Sequence, residues 1–252
     1  MSVKIVTFNL RSVWCGDGIN GFMHRAGMIY DKISSEKPDV IGFQEAIPHS
    51  IEFLIKLFPE YKFIGHGREE GYSGEGVYTA VRKDTFQVLG FETLWLSPTP
   101  YAVASRFEKQ SPCPRTCNIC QIRDIKTGER YYIFNTHLDH MEEYARVEGT
   151  KLVLSWVDER NKNLKLPTVI MGDFNASPDS EPIKICDAYD GISDVTSHIP
   201  VTFHDWGRCE QKIDYIYVSD DIKKKIKDVK IWDEVDNGIY LSDHYPICME
   251  IE

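Results

Sequence analysis

Residues 168–175 read Thr-Val-Ile-Met-Gly-Asp-Phe-Asn, a short apolar run that stops on an acid and an amide. A run of this length with β-branched residues indicates a buried strand. Side chains alternate along an extended chain, so Asp173 and Asn175 point to one face while Phe174 points into the core. Taken alone, these Gly, Asp and Asn residues are equally typical of a plain β-turn.

The same pattern occurs four more times along the chain, and this repetition favours a functional site. The predicted strands and the polar residues that follow them are residues 3–8 with Asn9, residues 40–43 with Gln44 and Glu45, residues 131–134 with Asn135, Thr136 and His137, and residues 240–241 with Ser242, Asp243 and His244. Polar groups at strand ends can gather at one rim of a sheet, where a rigid scaffold holds them in a cleft. Carboxylates, amides and imidazoles together predict a site for a hard cation and a hydrolytic water.

The length and composition are those of an ordinary globular protein. The chain has 252 residues, 42% of them hydrophobic and 27% charged, which is enough to bury a core. No window is long and apolar enough to cross a bilayer, and no secretory signal is visible, so we expect a cytoplasmic protein without membrane association. Seven cysteines, an odd number, indicate free thiols in a reducing compartment.

The net charge of −10 limits the kinds of substrate that the chain can bind. Proteins that bind duplex nucleic acid nonspecifically need a basic surface to neutralise phosphates. The charge therefore indicates a small substrate, or one held locally by a few arginines near a cation. Arg146, near the start of a predicted helix, either meets phosphate in this way or is a solvated helix charge.

The order of predicted elements indicates one domain, residues 1–252, of the α+β class. No repeat, low-complexity tract or linker divides the chain. Strands are predicted at residues 3–8, 40–43, 131–134, 168–171, 201–203, 213–218 and 245–251, with a mainly extended stretch between residues 61 and 121. Helices are predicted between Phe22 and Ile33, near residues 51–58, between Met141 and Trp156, and briefly after Asp179. Strands from both halves with few helices predict two packed sheets flanked by helices.

Three of the seven cysteines, Cys113, Cys117 and Cys120, lie close together in the sequence. Their spacing is compatible with a zinc site, but no second cysteine or histidine pair follows at the distance usual for zinc fingers. We therefore expect an alternating strand in which these cysteines are small buried apolar groups.

The acids and histidines at the predicted rim suit a cation and proton transfer. Mg²⁺ typically uses one or two carboxylates, and Glu45 with Asp243 or Asp173 supplies that number. His244 is a candidate general base, and Asp214 either fixes its tautomer or is a surface acid before a strand. His137 is a candidate donor to a nonbridging phosphate oxygen, with Asp139 or Asp173 orienting it.

Six segments together resemble the endonuclease/exonuclease/phosphatase superfamily, and they follow the superfamily's order along nearly the whole chain. They are Thr7-Phe-Asn-Leu, Phe43-Gln-Glu, Asn135-Thr-His-Leu, Gly172-Asp-Phe-Asn, Ile213-Asp-Tyr-Ile and Ser242-Asp-His-Tyr-Pro. The chain is similar to a compact bacterial-type branch near the carbon-catabolite-repressor deadenylases. Residues 111–120 depart from the tryptophan-containing pattern common in that branch.

The resemblance implies a four-layer αββα sandwich and phosphoester hydrolysis that depends on Mg²⁺, with Mn²⁺ as a substitute. Carried over by position, the implied metal ligands are Glu45, Asn9 and Asp243. The implied catalytic residues are His244, Asp214, His137, Asp173 and Asn175. The predicted substrate-binding residues are Asn9, Asn135 and Arg146.

The function predicted from the sequence is hydrolysis of phosphodiester bonds in nucleotides or single-stranded nucleic acid. An alternative is a phosphomonoesterase acting on a sugar or inositol phosphate, which the acidic charge favours. A second alternative is a binding module that kept the fold and lost the chemistry. The protein is expected to be a monomer, and the sequence implies no protein partner.

Overall fold

The strands form two six-stranded sheets and a two-stranded ribbon in a computed structural model that describes residues 2–162 and 164–252. The strands are β1 Val3–Asn9, β2 Val40–Ala46, β3 Tyr61–Gly67, β4 Gly76–Arg82, β5 Phe86–Trp95, β6 Thr116–Asp124, β7 Arg130–His137, β8 Thr168–Asp173, β9 Ile192–Asp194, β10 Asp214–Ser219, β11 Ile226–Ile231, β12 Val235–Asp236, β13 Ile239–Tyr240 and β14 Ile247–Ile251.

Five α-helices are present in the same described ranges. They are α1 Phe22–Glu36, α2 Pro48–Leu57, α3 Glu143–Asn161, α4 Glu181–Asp187 and α5 Asp220–Lys223. Short 3₁₀ turns occur at Gly18–Asn20, Glu70–Tyr72 and Asp205–Gly207. None of these helices has both the length and the apolar character needed to cross a membrane.

Both large sheets are mixed, because each contains one parallel pair. The first sheet has the order β11-β14-β1-β2-β4-β3, and the second has the order β5-β6-β7-β8-β10-β9. The parallel pairs are β1 with β2 and β7 with β8, and the other neighbours in these two sheets are antiparallel. The central strands of each sheet are therefore β-α-β units whose carboxyl ends meet at the same edge.

Alternating side chains of the strands build three apolar layers. In β1, Val6 packs with Ile29 of α1, whereas its neighbour Ile5 packs between the sheets with Met249. In β7, Ile133 faces the first sheet and Phe134 faces α3. Because neighbouring strand residues face opposite sides, both sheets are covered on both faces. The order helix, sheet, sheet, helix confirms the predicted αββα sandwich; the expectation of one domain stays a prediction.

Asn135 lies between the two sheets, where it joins them by hydrogen bonds. Its Nδ2 donates to the carbonyls of Phe43 (3.1 Å) and Tyr78 (3.0 Å), and its Oδ1 accepts from Nε2 of Gln44 (2.7 Å). Gly42 makes room for this contact, since a Cβ there would lie 2.9 Å from Cγ of Asn135. The side chain is fully buried and away from the cleft, which corrects the prediction that Asn135 binds substrate.

Several predicted elements differ from the structure. The strand predicted at residues 201–203 is wrong, because Phe203 there makes only isolated bridges, to Gln211 and His244. The sequence analysis missed the edge strand Ile226–Ile231, whose lysines and aspartate obscure the apolar alternation. Within the stretch predicted as mainly extended, residues 96–115 form an irregular segment instead.

The clustered cysteines do not form a common site. Cys117 packs in the layer beside α3, whereas Cys120 packs between the sheets, so the two thiols face opposite sides of β6. Cys113 precedes the strand and lines a surface cleft. The prediction of buried apolar thiols is confirmed for Cys117 and Cys120 but not for Cys113. All seven cysteines are free, as expected.

Gly172 lets β7 and β8 approach each other next to the paired residues His137 and Asp173. It has φ +147°, and a Cβ there would lie 1.9 Å from the carbonyl oxygen of Thr136. Because backbone would have to move, we expect Gly172→Ala to lower the free energy of unfolding by at least about 3 kcal/mol, measured by urea denaturation.

The matched control for this glycine is Gly27→Ala, in α1. A Cβ at Gly27 meets nothing within 4 Å and requires no unusual backbone angle. This variant should be unchanged or stabilised by roughly 0.5–1 kcal/mol, because alanine loses less entropy in a helix. If Gly172→Ala were as stable as the parent, the close approach of β7 and β8 would not require a glycine at this position.

Candidate active site

The polar strand ends converge at one rim that is shared by both large sheets. Asn9 ends β1, His137 ends β7 and Asp173 ends β8, while Asp214 begins the antiparallel strand β10. The backbone register places His137 beside Asp173, and Asp173 beside Asp214. His137 and Asp173 border a cavity of about 470 Å³, whose charged and imidazole side chains are Arg11, Glu45, Arg68, Glu75, Arg115, His137, His140, Asp173, Asp243 and His244.

Three residues of the cleft have left-handed backbone conformations. Arg11 has φ 57°, Glu45 has φ 54° and Asn175 has φ 48°, and Glu45 lies within an irregularity in the pairing of β2 with β4. Such conformations cost on the order of 1–3 kcal/mol for residues other than glycine and concentrate at functional sites. The fold thus holds these three side chains in unusual positions at the cleft.

Asn9 positions two of the acids through its amide. Its Nδ2 donates to Oδ2 of Asp173 (2.9 Å) and to Oε1 of Glu45 (3.3 Å), and its Oδ1 accepts from the backbone N–H of Arg11 (3.0 Å). The second carboxylate oxygen of Glu45 accepts from the backbone N–H of Ser12 (3.1 Å). Both ends of the Asn9 amide are therefore engaged within the protein, and its role as a metal ligand stays a prediction.

Two overlapping groups of side chains have the spacing of metal ligands. Ligand atoms of Glu45, His137 and Asp173 lie within 4.8 Å of one another, and so do those of Asp173, Asp214 and His244. Burial, and then the neighbouring Asp214, raise the pKa of Asp173, because several carboxylates crowd into a dry site. A hard divalent cation would relieve this repulsion, and the oxygen-rich donors fit one.

Asp243, a predicted metal ligand, joins neither group within the described part of the chain. Its Oδ2 instead lies 3.4 Å from Nε of Arg11, and its Oδ1 accepts from the hydroxyl of Ser242 (3.1 Å). The structure thus brings ligand atoms of Asp173 and His137, rather than Asp243, to within 4.8 Å of Glu45, and the roles of Glu45 and Asp243 as metal ligands stay predictions.

His244 and Asp214 form the predicted pair. Nδ1 of His244 lies 2.8 Å from Oδ2 of Asp214, so Nε2 points toward Asn9 and Asp173, with its nearest Asp173 oxygen at 3.9 Å. Burial opposes the charged ring, but Asp214, Asp173 and Asp243 outweigh it and raise the pKa of His244 to about 10. A cation bound at the acids would offset their charge and lower that pKa.

The carboxylate nearest to His137 is that of Asp173 and not that of Asp139. Its Nε2 lies 3.5 Å from Oδ2 of Asp173, and its buried Nδ1 has no hydrogen-bond partner among the described residues. Burial, and then Arg115 and Arg68, keep the pKa of His137 well below its usual value, so the ring is neutral. Asp139 is occupied elsewhere, since it accepts from the backbone N–H of Glu142 (2.8 Å) at the start of α3.

Arg146, a predicted substrate-binding residue, lies outside the main cleft. Its Nη1 donates to the carbonyl of Asp139 (3.0 Å), and its side chain lines an adjoining cavity of about 550 Å³ together with Asn175. The structure therefore does not place Arg146 with the acids.

Arg68 and Arg115 line the cleft but were missed from the sequence. Arg115 directly precedes β6, and the start of β6 pairs with the end of β7 because these strands are antiparallel. A rule that examines only residues after strands overlooks such positions. The same reasoning applied to residues that precede antiparallel strands would have found Arg115.

Comparison with known proteins identifies the family of this chain and the fold that it shares with solved structures. A profile of the Endonuclease/Exonuclease/phosphatase family matches residues 6–244. A solved endonuclease/exonuclease/phosphatase from Bacteroides vulgatus is 29% identical, with a TM-score of 0.91 and coverage of 100% of this chain and 99% of that chain. A mannosyl-6-phosphatase from Bacteroides thetaiotaomicron is 26% identical, with a TM-score of 0.89 and coverage of 99% of both chains. Tyrosyl-DNA phosphodiesterase 2 of Bos taurus is 27% identical over 166 residues, which span 64% of this chain and 40% of the bovine protein.

The chain therefore belongs to the endonuclease/exonuclease/phosphatase family, as its six motifs indicated. Members of this family are metal-dependent hydrolases that act on phosphoester bonds, and this chain is an enzyme of that class. Membership disfavours the alternative of a non-catalytic binding module.

Proposed function

We propose that the chain is a Mg²⁺-dependent phosphomonoesterase that acts on a small phosphorylated substrate such as a sugar phosphate, with Mn²⁺ able to replace Mg²⁺. The observation that carries this proposal is the position of the basic groups. Arg68 and Arg115 are only 7% and 4% exposed, so they can contact a group inside the cleft but not the backbone of a polymer crossing the surface. The net charge of −10 also disfavours a polyanion. Similarity to a mannosyl-6-phosphatase over 99% of both chains gives further support.

The residues of the cleft can be assigned roles in this reaction. Glu45 and Asp173 would hold the cation, which when bound polarises the phosphoryl oxygen and stabilises the leaving alkoxide. Asp214 fixes Nδ1 of His244, so Nε2 is the nitrogen that can take a proton from the attacking water. His137 would contact the equatorial phosphoryl oxygens as charge develops on them.

Asn175 would act beside His137, but part of it is already engaged. Its Nδ2 donates to the carbonyl of Leu138 (3.1 Å), and its backbone N–H donates to Oδ1 of Asp173 (2.8 Å). One amide hydrogen remains available to a phosphoryl oxygen, since a primary amide carries two. The left-handed backbone holds the amide in this position.

A substrate panel tests the proposal. The purified protein, treated with EDTA and then supplied with Mg²⁺ or Mn²⁺, should release phosphate from mannose 6-phosphate and p-nitrophenyl phosphate. It should show no turnover with EDTA alone and little cleavage of bis-(p-nitrophenyl) phosphate or of single-stranded RNA and DNA oligomers. Metal-dependent cleavage of the oligomers without release of phosphate from the monoesters would overturn the monoester assignment.

Phosphodiester cleavage in nucleic acid is the second candidate function. Similarity to tyrosyl-DNA phosphodiesterase 2 of Bos taurus favours it, although the matched residues span 40% of that protein. The oligomers in the same panel test this candidate directly, because a nuclease would yield shortened products that depend on the added metal.

A further inference from the structure

Arg115 is a buried cation with unused hydrogen-bond donors. Its Nη2 donates to Nδ1 of His140 (2.7 Å), whereas Nε and Nη1 have no partner within residues 2–162 and 164–252. The nearest carboxylate oxygen, Oδ2 of Asp139, is 3.8 Å from Nε, which is too long for a hydrogen bond. A buried donor without a partner is destabilising, and more so when it is charged, so these atoms require an explanation.

Arg68 presents a second such group to the same cleft. Its Nη2 pairs with Oε2 of Glu75 (2.7 Å), while its buried Nε has no hydrogen-bond partner in the described part of the chain. The loop that carries it is held rigidly: its backbone carbonyl accepts from Nε1 of Trp95 (2.8 Å), and a Cβ at Gly67 would lie 2.1 Å from the carbonyl of Ser73. The fold therefore fixes Arg68 in place instead of leaving it free to reach solvent.

The two guanidinium groups act on each other and on the histidines of the cleft. Both side chains line the same cavity, where burial, and then the like charge of Arg68, lower the pKa of Arg115. Glu75 pairs with Arg68, whereas Asp139, the carboxylate nearest to Arg115, accepts from the hydroxyl of Ser111 and from backbone N–H groups at the start of α3. An anion bound between the arginines would both satisfy the free donors and relieve the repulsion.

We infer that Arg68, Arg115 and His140 form a binding site for a second phosphate group of the substrate, distinct from the phosphoryl group that is hydrolysed. His137 lines the same cavity as both arginines, and its Nε2 lies 3.5 Å from Oδ2 of Asp173. Arginine suits a phosphate because its fork of donors matches two oxygens at once. The substrate class is therefore a small molecule with two phosphate groups, which a cavity of about 470 Å³ can hold. This inference rests on the proposed function for the group that is hydrolysed.

The first test measures binding without catalysis. In EDTA, inorganic phosphate should raise the melting temperature of the parent protein, and Arg115→Met or Arg68→Gln should weaken the apparent phosphate affinity at least tenfold. Arg130→Gln is the matched control, because Arg130 begins β7 at the end opposite His137 and is exposed. Because no hydrolysis is involved, this binding can succeed or fail independently of the proposed function. Phosphate binding that both variants retain would overturn the inference.

The second test compares two substrates in the presence of Mg²⁺. The variants are Arg115→Lys, which keeps the charge but loses the two-pronged guanidinium, and Arg68→Gln. In both variants kcat/KM should fall at least tenfold more with fructose 1,6-bisphosphate than with fructose 6-phosphate. Most of that difference should come from a higher KM. Equal losses with both substrates would mean that the arginines hold the hydrolysed phosphoryl group itself. No loss with either would mean that they are structural only. Either result contradicts a second phosphate site, and an unchanged melting temperature of the variants shows that folding is not the cause.

Discussion

Glu45→Gln should abolish metal-dependent hydrolysis, with kcat/KM reduced by at least about a thousandfold. Metal coordination supplies several kcal/mol of charge stabilisation, and each 1.36 kcal/mol corresponds to about a factor of ten in rate. Glutamine has the same shape but no charge, and it keeps only one of the two acceptor oxygens that now bind Asn9 and Ser12. The protein should still fold, because neutralising one of several crowded acids relieves their repulsion.

The prediction for Glu45 is measured by calorimetric titration with Mg²⁺ or Mn²⁺ and by kinetics over a range of metal concentrations. Glu52→Gln is the matched control, since Glu52 is exposed on α2, directly after the strand that carries Glu45. Its metal affinity and rate should equal those of the parent. A Glu45→Gln enzyme with parental metal affinity, or with less than a tenfold loss of rate, would show that the cation is held elsewhere.

The rim of the site could be predicted from the sequence, because the residues at the rim follow local sequence patterns. A buried strand is recognisable from a few apolar residues, and the residue that follows a parallel strand lies at the carboxyl edge of the sheet. Glu45, His137 and Asp173 follow from that rule alone, and the structure brings them within 4.8 Å of one another. The family motifs added Asp214, which local patterns leave open between a surface acid and a partner of His244.

Prediction from strand ends fails where the position of a residue along its strand decides whether its side chain is buried or lies in the cleft. Asn135 and His137 are two residues apart in β7 and face the same side. Asn135 is buried under the first sheet and donates hydrogen bonds to the carbonyls of Phe43 and Tyr78. His137 lies beyond the edge of that sheet and lines the cavity. Where the facing sheet ends is a tertiary property, so the sequence could not separate an interior amide from a cleft histidine.

The same limit explains the two arginines. Arg115 is the last residue of an irregular segment and Arg68 lies in a glycine-bounded loop, so neither belongs to a periodic element. Their common cleft depends on the pairing of β3 with β4 and of β6 with β7, contacts that no local pattern specifies. Arg146 shows the opposite error: its position in the sequence suggested the cleft, but its contact with the carbonyl of Asp139 holds it in the next cavity.

His244→Gln should lower kcat by roughly 10²–10⁴-fold with little change in KM, the range typical of general acid–base catalysis. The ring donates and accepts protons only through Nε2, because Nδ1 is bonded to Asp214 at 2.8 Å. Both constants are measured by steady-state kinetics at saturating Mg²⁺. His24→Gln is the control, because His24 is exposed on α1. A loss below tenfold would remove His244 from the proton-transfer step.

Asp214→Asn tests whether the aspartate acts through the histidine. Asp214 is buried, and its contact within the site is with Nδ1 of His244, so its effect on the rate should depend on that ring. We therefore expect the double variant with His244→Gln to be no slower than His244→Gln alone, because residues that act as a unit are not additive. Multiplicative losses would instead mean that Asp214 contributes independently, through the group that it forms with Asp173. In that case the cation, and not the imidazole, would be the partner that explains why this carboxylate is buried at the rim.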